Sequence, residues 1–408
     1  MIHFETFYLT FVLSIKLAYG SQKGGITYEK TITQHLLTLG LITSMTACSS
    51  ASKNSQSNTA TAEAQSFDDY ARPQIVSNED VSIIYLISNL TDESNKRCEQ
   101  QVAIEAAHRG WDYQVINYEK EDNFREYFQN AINQQPTAII IGITQSFDSY
   151  QDLVAQARDA GIGIYSNDNS VIDGVISNST MDNALAAREL MDQVVADYPD
   201  GISYAVFELA MSEVMTLRAD EAKAYSETND KLTLLDSMDL ASTGDLNTSG
   251  YTIAQTWLQQ YSDELQFIFC SSDTPALSAA EAVTQAGDTT GEKTFLAGVD
   301  GGSSTWSYIR NGSPLKYTYS QPFEYFSHMT CEVINDIQVK GLNPGDEGCA
   351  ISTVGEYIIA PGIVTSIDNC PNPGDSIHSV FDFYGEDPDD KEAWYNWTDG
   401  PGIYEVTE

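Results

Sequence analysis

From residue 80 onward, short and almost uninterrupted aliphatic runs alternate with helical stretches, and this alternation constrains the fold more than any other feature. The runs are VSIIYLIS (81–88), TAIIIGI (137–143), GIGIYSN (161–167), ISYAVFEL (202–209), QFIFCSS (266–272) and TFLAGVDG (294–301). A strand with one wet face would alternate apolar and polar residues. Continuous runs predict strands covered on both faces, as in parallel sheets. The stretches between them have helical periodicity. CEQQVAIEAAHRG puts Cys98, Val102, Ala103, Ala106 and Ala107 on one face, and YQDLVAQARDAG does the same with Leu153, Val154 and Ala157 before stopping at Gly161. DTPALSAAEAVTQAG opens on an aspartate cap, Asp273, with proline in its first turn, and ends at Gly287. Two such series predict two doubly wound α/β domains with parallel sheets. A length of 408 residues also exceeds what one core usually serves.

Charge narrows the function. Lys and Arg number 20 against 59 Asp and Glu, a formal net charge of -39. Such a surface repels phosphate backbones and anionic membrane faces, which excludes a nucleic-acid role. It suits a protein outside the cytoplasm that meets a neutral or cationic solute, although solubility alone is a sufficient reason for it. The 42% hydrophobic and 11% aromatic content argues against wholesale disorder.

The N-terminal region carries an address. LLTLGLITSMTA (36–47) is an apolar run of signal-peptide length, too short for a stable span, with Lys23 and Lys30 before it. It leads through Thr46 and Ala47 into Cys48, and MTAC resembles a bacterial lipoprotein lipobox, which implies cleavage before Cys48 and a lipid on it. An ordinary cleaved signal peptide is the other reading. A second apolar run, FYLTFVLSI, within residues 1–20 is one more than a single signal peptide needs. Residues 1–48 are thus read as the signal and lipobox region. Residues 49–78, beginning with SSASKNSQSNTATAEAQS (49–66), are read as a flexible tether.

Cys98, on a helix face, and Cys270, in a strand, read as small buried hydrophobes. Cys349 and Cys370 bracket the last strand region, where either a bridge or two thiols would fit. No CxxC occurs and the mature chain has three scattered histidines, so neither a zinc site nor a cofactor is expected. Catalytic templates are also missing: there is no GxGxxG, HExxH or GxSxG, and GDTTGEKT has Glu292 where a P-loop needs glycine next to lysine. His328 and Cys331 share a helix face with no assembled catalytic or ligand set evident, and read as core packing or a solvated face. The chain is not expected to be an enzyme.

Six segments in order then resemble one family, the type I periplasmic binding proteins of ribose/galactose type that serve ABC sugar importers. They are VSIIYLISNLTDESN, ARDAGIGIYSNDN, STMDNALAARELM, FIFCSSDTPALSAAEAVTQAG, FLAGVDGG and YTYSQP, and the resemblance covers about residues 79–368. It implies two α/β domains joined by a three-segment hinge, with crossovers near residues 182, 321 and 347. The N-terminal domain would comprise 79–182 plus 321–346 and the C-terminal domain 183–320 plus 347–368. Residues 369–408, acidic and aromatic, form a C-terminal tail expected to pack through Phe381, Phe383, Tyr384, Trp394 and Trp397.

The resemblance also implies site residues. Asp300, at the strand end of FLAGVDGG, would accept hydrogen bonds from sugar hydroxyls, as a carboxylate does well; capping the following helix is its other reading. Asp168 would be the second acidic contact, or an ordinary turn aspartate. Asn169 stands where the family often has arginine. Arg218 lies near the family's cleft arginine, or is a solvated helix residue. Ser272 replaces the usual asparagine, and Gln321 matches the hinge glutamine. In the first loop Ser94 and Asn95 stand where many members have stacking aromatics, leaving Tyr165, Phe207 or Trp306 to supply a ring.

The expected function is an extracytoplasmic, lipid-anchored and monomeric binding protein that captures a sugar or related polyhydroxylated solute. It would deliver that solute to an ABC permease, or signal its presence to a membrane receptor or histidine kinase. A repressor sharing the core fold would need an N-terminal helix-turn-helix, where this chain has a signal and a tether.

Overall fold

The aliphatic runs become strands because both of their faces find helices. The computed structural model describes residue 67 and residues 71–144, 147–242, 245–381 and 390–408. These all belong to the compact unit Thr61–Glu408; the other unit, Met1–Ala60, and with it Cys48, lies outside the described residues.

The first sheet contains β1 (Ser82–Ile87), β2 (Asp112–Asn117), β3 (Ala138–Ile141), β4 (Gly163–Asn167), β5 (Ser177–Thr180) and a strand from late in the chain, β11 (Glu356–Ile359). Its order is β11-β5-β4-β3-β1-β2 and every pairing is parallel. The second sheet contains β6 (Ile202–Glu208), β7 (Leu232–Asp239), β8 (Phe267–Cys270), β9 (Phe295–Asp300), β10 (Leu315–Ser320) and β12 (Ile363–Thr365). It repeats the arrangement as β12-β10-β9-β8-β6-β7, with β12 alone antiparallel to its neighbour. In each sheet the strand order reverses beside the first strand, at β1/β3 and at β6/β8. That reversal opens a crevice at the carboxyl ends of the strands, where ligands of open α/β sheets bind.

The helices are α1 (Glu93–Arg109), α2 (Phe124–Asn133), α3 (Gln151–Asp159), α4 (Asn183–Asp197), α5 (Glu213–Thr228), α6 (Leu246–Tyr261), α7 (Asp273–Gln285), α8 (Ser303–Arg310) and α9 (Phe323–Ile334). Ile83, Tyr85 and Ile87 of β1 pack with Cys98, Val102 and Ala106 of α1, whereas Ile84 and Leu86 pack with Phe128 of α2 and Val154 of α3. In the second sheet Phe207 and Ile268 meet Trp257 of α6 and Val283 of α7, while Val206 and Phe269 share a core with Leu190 of α4 and Ala219 of α5. The strands without an aliphatic run are polar or at an edge. β5 reads SNST yet is fully buried, because Asn178 bonds to Ser166 and Asn169 and Ser179 bonds to Thr330. β2 and β7 lie at sheet edges and stay half exposed along most of their length.

The chain passes between the sheets after β5, after β10 and after β11. The third passage differs from the expected crossover near residue 347. β11 pairs with β5 from Glu356↔Ser177 to Ile359↔Thr180, so the chain stays with the first sheet until 359 and crosses at 360–362. Gly362 suits that crossing, since a Cβ there would stand 2.4 Å from the Ser320 carbonyl oxygen. The tether is also shorter than expected. Gln74 N–H donates to Gly161 O and Val76 N–H to Gln338 O, and Arg72 donates to Ile337 O and Leu342 O, which docks residues 72–76 on the first domain.

The C-terminal tail packs on both domains. Trp306 of α8 gathers Ile377 and Val406, and Arg310 donates to Pro371 O. On the first domain His108 stacks on Trp397 at 3.6 Å, His328 stacks on Trp394 at 4.3 Å, and Gln100 donates to Gly402 O. Phe381 is buried; Phe383 and Tyr384 lie outside the described residues. Cys349 and Cys370 do not form a bridge. Cys349 packs beside the core of the first domain, and Cys370 lies against the Trp306 carbonyl of the second.

Candidate functional site

Asp168 follows strand β4 in the first domain and Asp300 ends β9 in the second. Both have positive φ, 53° and 141°. Such conformations cost about 1–3 kcal/mol at a residue other than glycine and persist only where the surroundings enforce them. The enforcing bonds are visible. Thr180 Oγ1 donates to Asp168 Oδ1 at 2.6 Å, while Asp168 N–H donates to Ser179 O. Gln321 donates from its backbone to Asp300 O at 2.7 Å and from Nε2 to Asp300 Oδ1 at 2.8 Å, and Asp273 N–H donates to Asp300 Oδ2.

Arg218, on α5, connects the two aspartates. It is 1% exposed; Nη2 lies 3.5 Å from Asp168 Oδ2 and Nη1 3.4 Å from Asp300 Oδ1. Shorter bonds hold the guanidinium itself, Nε to Asn183 Oδ1 at 2.7 Å and Nη1 to Ser271 O at 2.9 Å. The two carboxylate contacts are longer than the 2.7–2.9 Å of a charge-assisted bond. Arg218 is thus a buried helix residue, not a solvated one. Gln321 Oε1, Ser272 Oγ and Asn95 Oδ1 are buried without a hydrogen-bond partner among the described residues. Buried polar atoms are normally paired, so each has capacity left for a further group.

The expected site residues therefore divide. Asp168, Arg218, Asp300 and Gln321 form one network, and Ser272 lies between Ser271 and Asp273, which both contact it. Asn169 is engaged by the backbone instead: Nδ2 donates to Ile141 O, Gly142 O and Asn167 O, and Oδ1 accepts from Thr144 N–H. Asn95 ties down the first loop through Ser88 Oγ and Asn89 O. Asp300 does not cap α8. That cap comes from the other domain, where Glu93 accepts from Ser303 N–H at 2.6 Å and also from the Tyr404 hydroxyl. Asp273 does not cap α7 either. Its carboxylate accepts from Gly301 N–H and Thr318 Oγ1, which braces the ends of β9 and β10. The aromatic candidates belong to the cores: Tyr165 bonds to Gln338, Phe207 stacks on Trp257, and Trp306 donates to Ser320 Oγ.

Two cavities open on the cleft. One of about 280 Å³ is bordered by Asn89, Asp92 and Glu93 of the first domain and by Asn247, Asp273 and Asp300 of the second. The other, of about 540 Å³, is bordered by Asp168, Asn169 and Tyr357 on one side and Met211, Val214 and Leu217 on the other.

Residues 83–334, more than half of the chain, match the periplasmic binding protein domain model. The chain belongs to the periplasmic binding protein family. Solved structures share the fold. An ABC transporter solute-binding protein from Agrobacterium vitis with bound allitol is 18% identical, with a TM-score of 0.62 over 72% of this chain and 98% of that one. One from Bacillus halodurans with bound myo-inositol is 19% identical, with a TM-score of 0.61 over 72% and 97%. A periplasmic ribose ABC transporter protein from Conexibacter woesei is 20% identical, with a TM-score of 0.60 over 72% and 94%. No curated protein sequence matches the chain.

In this periplasmic binding protein several contributors to the cleft carry no local signal. Glu93 works on a helix of the other domain, and Asn183 bonds Arg218 from 35 residues away. Tyr357 lies on a strand that pairs only after the chain has returned to the first sheet.

Burial pushes the Asp273 carboxyl up to about 6, and pushes that of Asp300 well above the usual carboxylate range against the pull of Arg218. The sign follows. A carboxyl that holds its proton more tightly when folded loses stability as pH rises from its unfolded value through its folded one. For Asp273 that window runs from 3.8 to about 6. Stability of wild type relative to Asp273→Asn is therefore expected to fall across that window and to level off above it, measured by urea unfolding. A difference independent of pH would show that Asp273 titrates normally.

Proposed function

We propose that this periplasmic binding protein captures a sugar or related polyhydroxylated solute between its domains and hands it to an ABC permease. The observation that carries the reading is the network of Asp168, Arg218, Asp300 and Gln321, drawn from both domains and from the hinge, beside the unpartnered Gln321 Oε1 and Ser272 Oγ. Carboxylates accept from neighbouring hydroxyls, a guanidinium donates to hydroxyl oxygens, and an amide does both, so this set matches a molecule that carries hydroxyls around its perimeter. The long Arg218–carboxylate contacts are ones that such a solute would replace with shorter bonds. Solved structures of the same fold hold allitol and myo-inositol, which supports this solute class.

Closure would follow hinge bending at the three crossings, with Asp168 carried by one domain and Arg218 and Asp300 by the other. Discrimination comes from buried polar atoms that an analogue lacking a hydroxyl leaves unpaired. The set binds and orients a solute; it has no nucleophile with an adjacent base, so capture rather than turnover is the reading it supports. The lipobox adds an extracytoplasmic location with the lipid on Cys48. Cys48→Ser is then expected to abolish incorporation of labelled lipid.

The testing experiment is a thermal-shift screen of the purified chain against pentoses, hexoses, polyols, cyclitols and nucleosides. A solute at 100 times its dissociation constant is expected to add roughly 2.7 kcal/mol. A flat result from folded protein free of co-purified solute would remove the polyhydroxylated class.

A further inference from the structure

The two cavities reach the network at Asp300 and at Asp168 respectively, and they differ in chemistry. The smaller has carboxylates from Asp92, Glu93, Asp273 and Asp300 on its border, and Leu277 is its one large apolar side chain. The larger is nearly twice the volume and has an apolar flank. Seven large hydrophobic side chains are exposed among the described residues, and three of them, Met211, Leu217 and Tyr357, border this cavity at 44–45% exposure. Isolated exposed hydrophobics are ordinary, but apolar side chains concentrated on a concave surface with a polar rim mark a ligand groove.

Position links this flank to the polar network. Leu217 immediately precedes Arg218 on α5, and Asp168 itself borders the cavity. Tyr357 comes from the opposite domain, and its hydroxyl accepts from Val171 N–H at 2.8 Å, which fixes the ring. It is the exposed aromatic residue on the border of either cavity; Phe147, the other ring there, is buried. A solute whose hydroxyls meet Asp168 and Arg218 has its remaining substituent next to a fixed ring and two aliphatic side chains. Free sugars and polyols have nothing to place there.

We infer that the solute is a glycoside, a polyhydroxylated part held at Asp168, Arg218 and Asp300 with an apolar or aromatic aglycone lying against Tyr357, Met211 and Leu217. The inference rests on the polyhydroxylated-solute reading above. Aromatic contacts are oriented and add to simple burial.

Calorimetric titration of the full chain with free sugars and with their methyl and phenyl glycosides tests it. The phenyl glycoside of a bound sugar is expected to bind about tenfold more tightly than the methyl glycoside. Tyr357→Ala is expected to reduce that ratio, read with both glycosides on the same variant, to about twofold or less, and Tyr357→Phe, which keeps the ring, is expected to preserve it. Equal affinity for phenyl and methyl glycosides would overturn the glycoside inference alone, leaving the apolar flank to a protein partner. A ratio that survives Tyr357→Ala would overturn it too. Absence of binding by every sugar and glycoside would remove this inference together with the reading on which it rests.

Discussion

Arg97→Met is expected to lower unfolding stability by about 3–5 kcal/mol, the usual cost of stranding one partner of a buried ion pair. Arg97 is fully buried, and Nε and Nη2 reach the two oxygens of Glu324 at 2.7 and 2.9 Å. The same guanidinium donates to Gly301 O at 2.5 Å and Gln321 O at 3.0 Å, and lies 5.0 Å from the Phe323 ring. α1 is thereby bound to the two backbone positions that follow β9 and β10, beside Asp300 and at Gln321. Methionine fills similar volume but leaves the Glu324 carboxylate without its cation. The double variant Arg97→Met/Glu324→Leu is expected to recover most of the loss, because a well-packed apolar pair can replace a buried ionic one. Urea unfolding of both variants measures this. A loss under about 1 kcal/mol for the single variant would mean that the pair contributes no more than an exposed one.

Asp300→Ala is expected to weaken solute binding by about 100- to 10,000-fold while leaving the free protein folded. Two hydrogen bonds from solute hydroxyls to a carboxylate are lost, at roughly 1.5–3 kcal/mol each. The free protein is expected to stay folded because burying the Asp300 carboxyl is itself costly, which raises it well above the usual range. Gln321 Nε2 and Asp273 N–H lose an acceptor, while Arg218 keeps Asn183, Ser271 O and Asp168. Calorimetric titration with a solute identified by thermal shift reads the effect, and melting of the free variant within a few degrees of wild type supplies the folding control. Undiminished affinity would remove Asp300 from the site.

Much of the architecture was legible because parallel strands buried on both faces must be apolar throughout. Six of the twelve strands among the described residues announced themselves as aliphatic runs. β5 did not, since its SNST residues are buried through side-chain hydrogen bonds, which leave no hydropathy signal. β11 did not either: its exposure alternates at the edge of the sheet, and this misplaced the third crossing. Part of the cleft was equally legible. Aspartates at the ends of β4 and β9 occupy strand termini that the alternation located, and the glutamine after β10 was placed by the family resemblance of YTYSQP.

The sequence by itself determined the class of the fold, the doubling of the domain and the strand ends at which a ligand site would form, because these follow from local periodicity and chain order. Only the tertiary structure decided which polar side chains share the cleft and which brace it. Asn169 looks like a site residue in the linear chain and Asp273 like a helix cap, but their bonds go to neighbouring backbone and, for Asp273, to Gly301 N–H and Thr318. Glu93 and Tyr357 look ordinary, and reach the cleft through partners more than 180 residues distant. A carboxylate or an amide has the same identity in either role. What differs is which donors lie within hydrogen-bond reach, and that is set by packing between segments far apart in the chain.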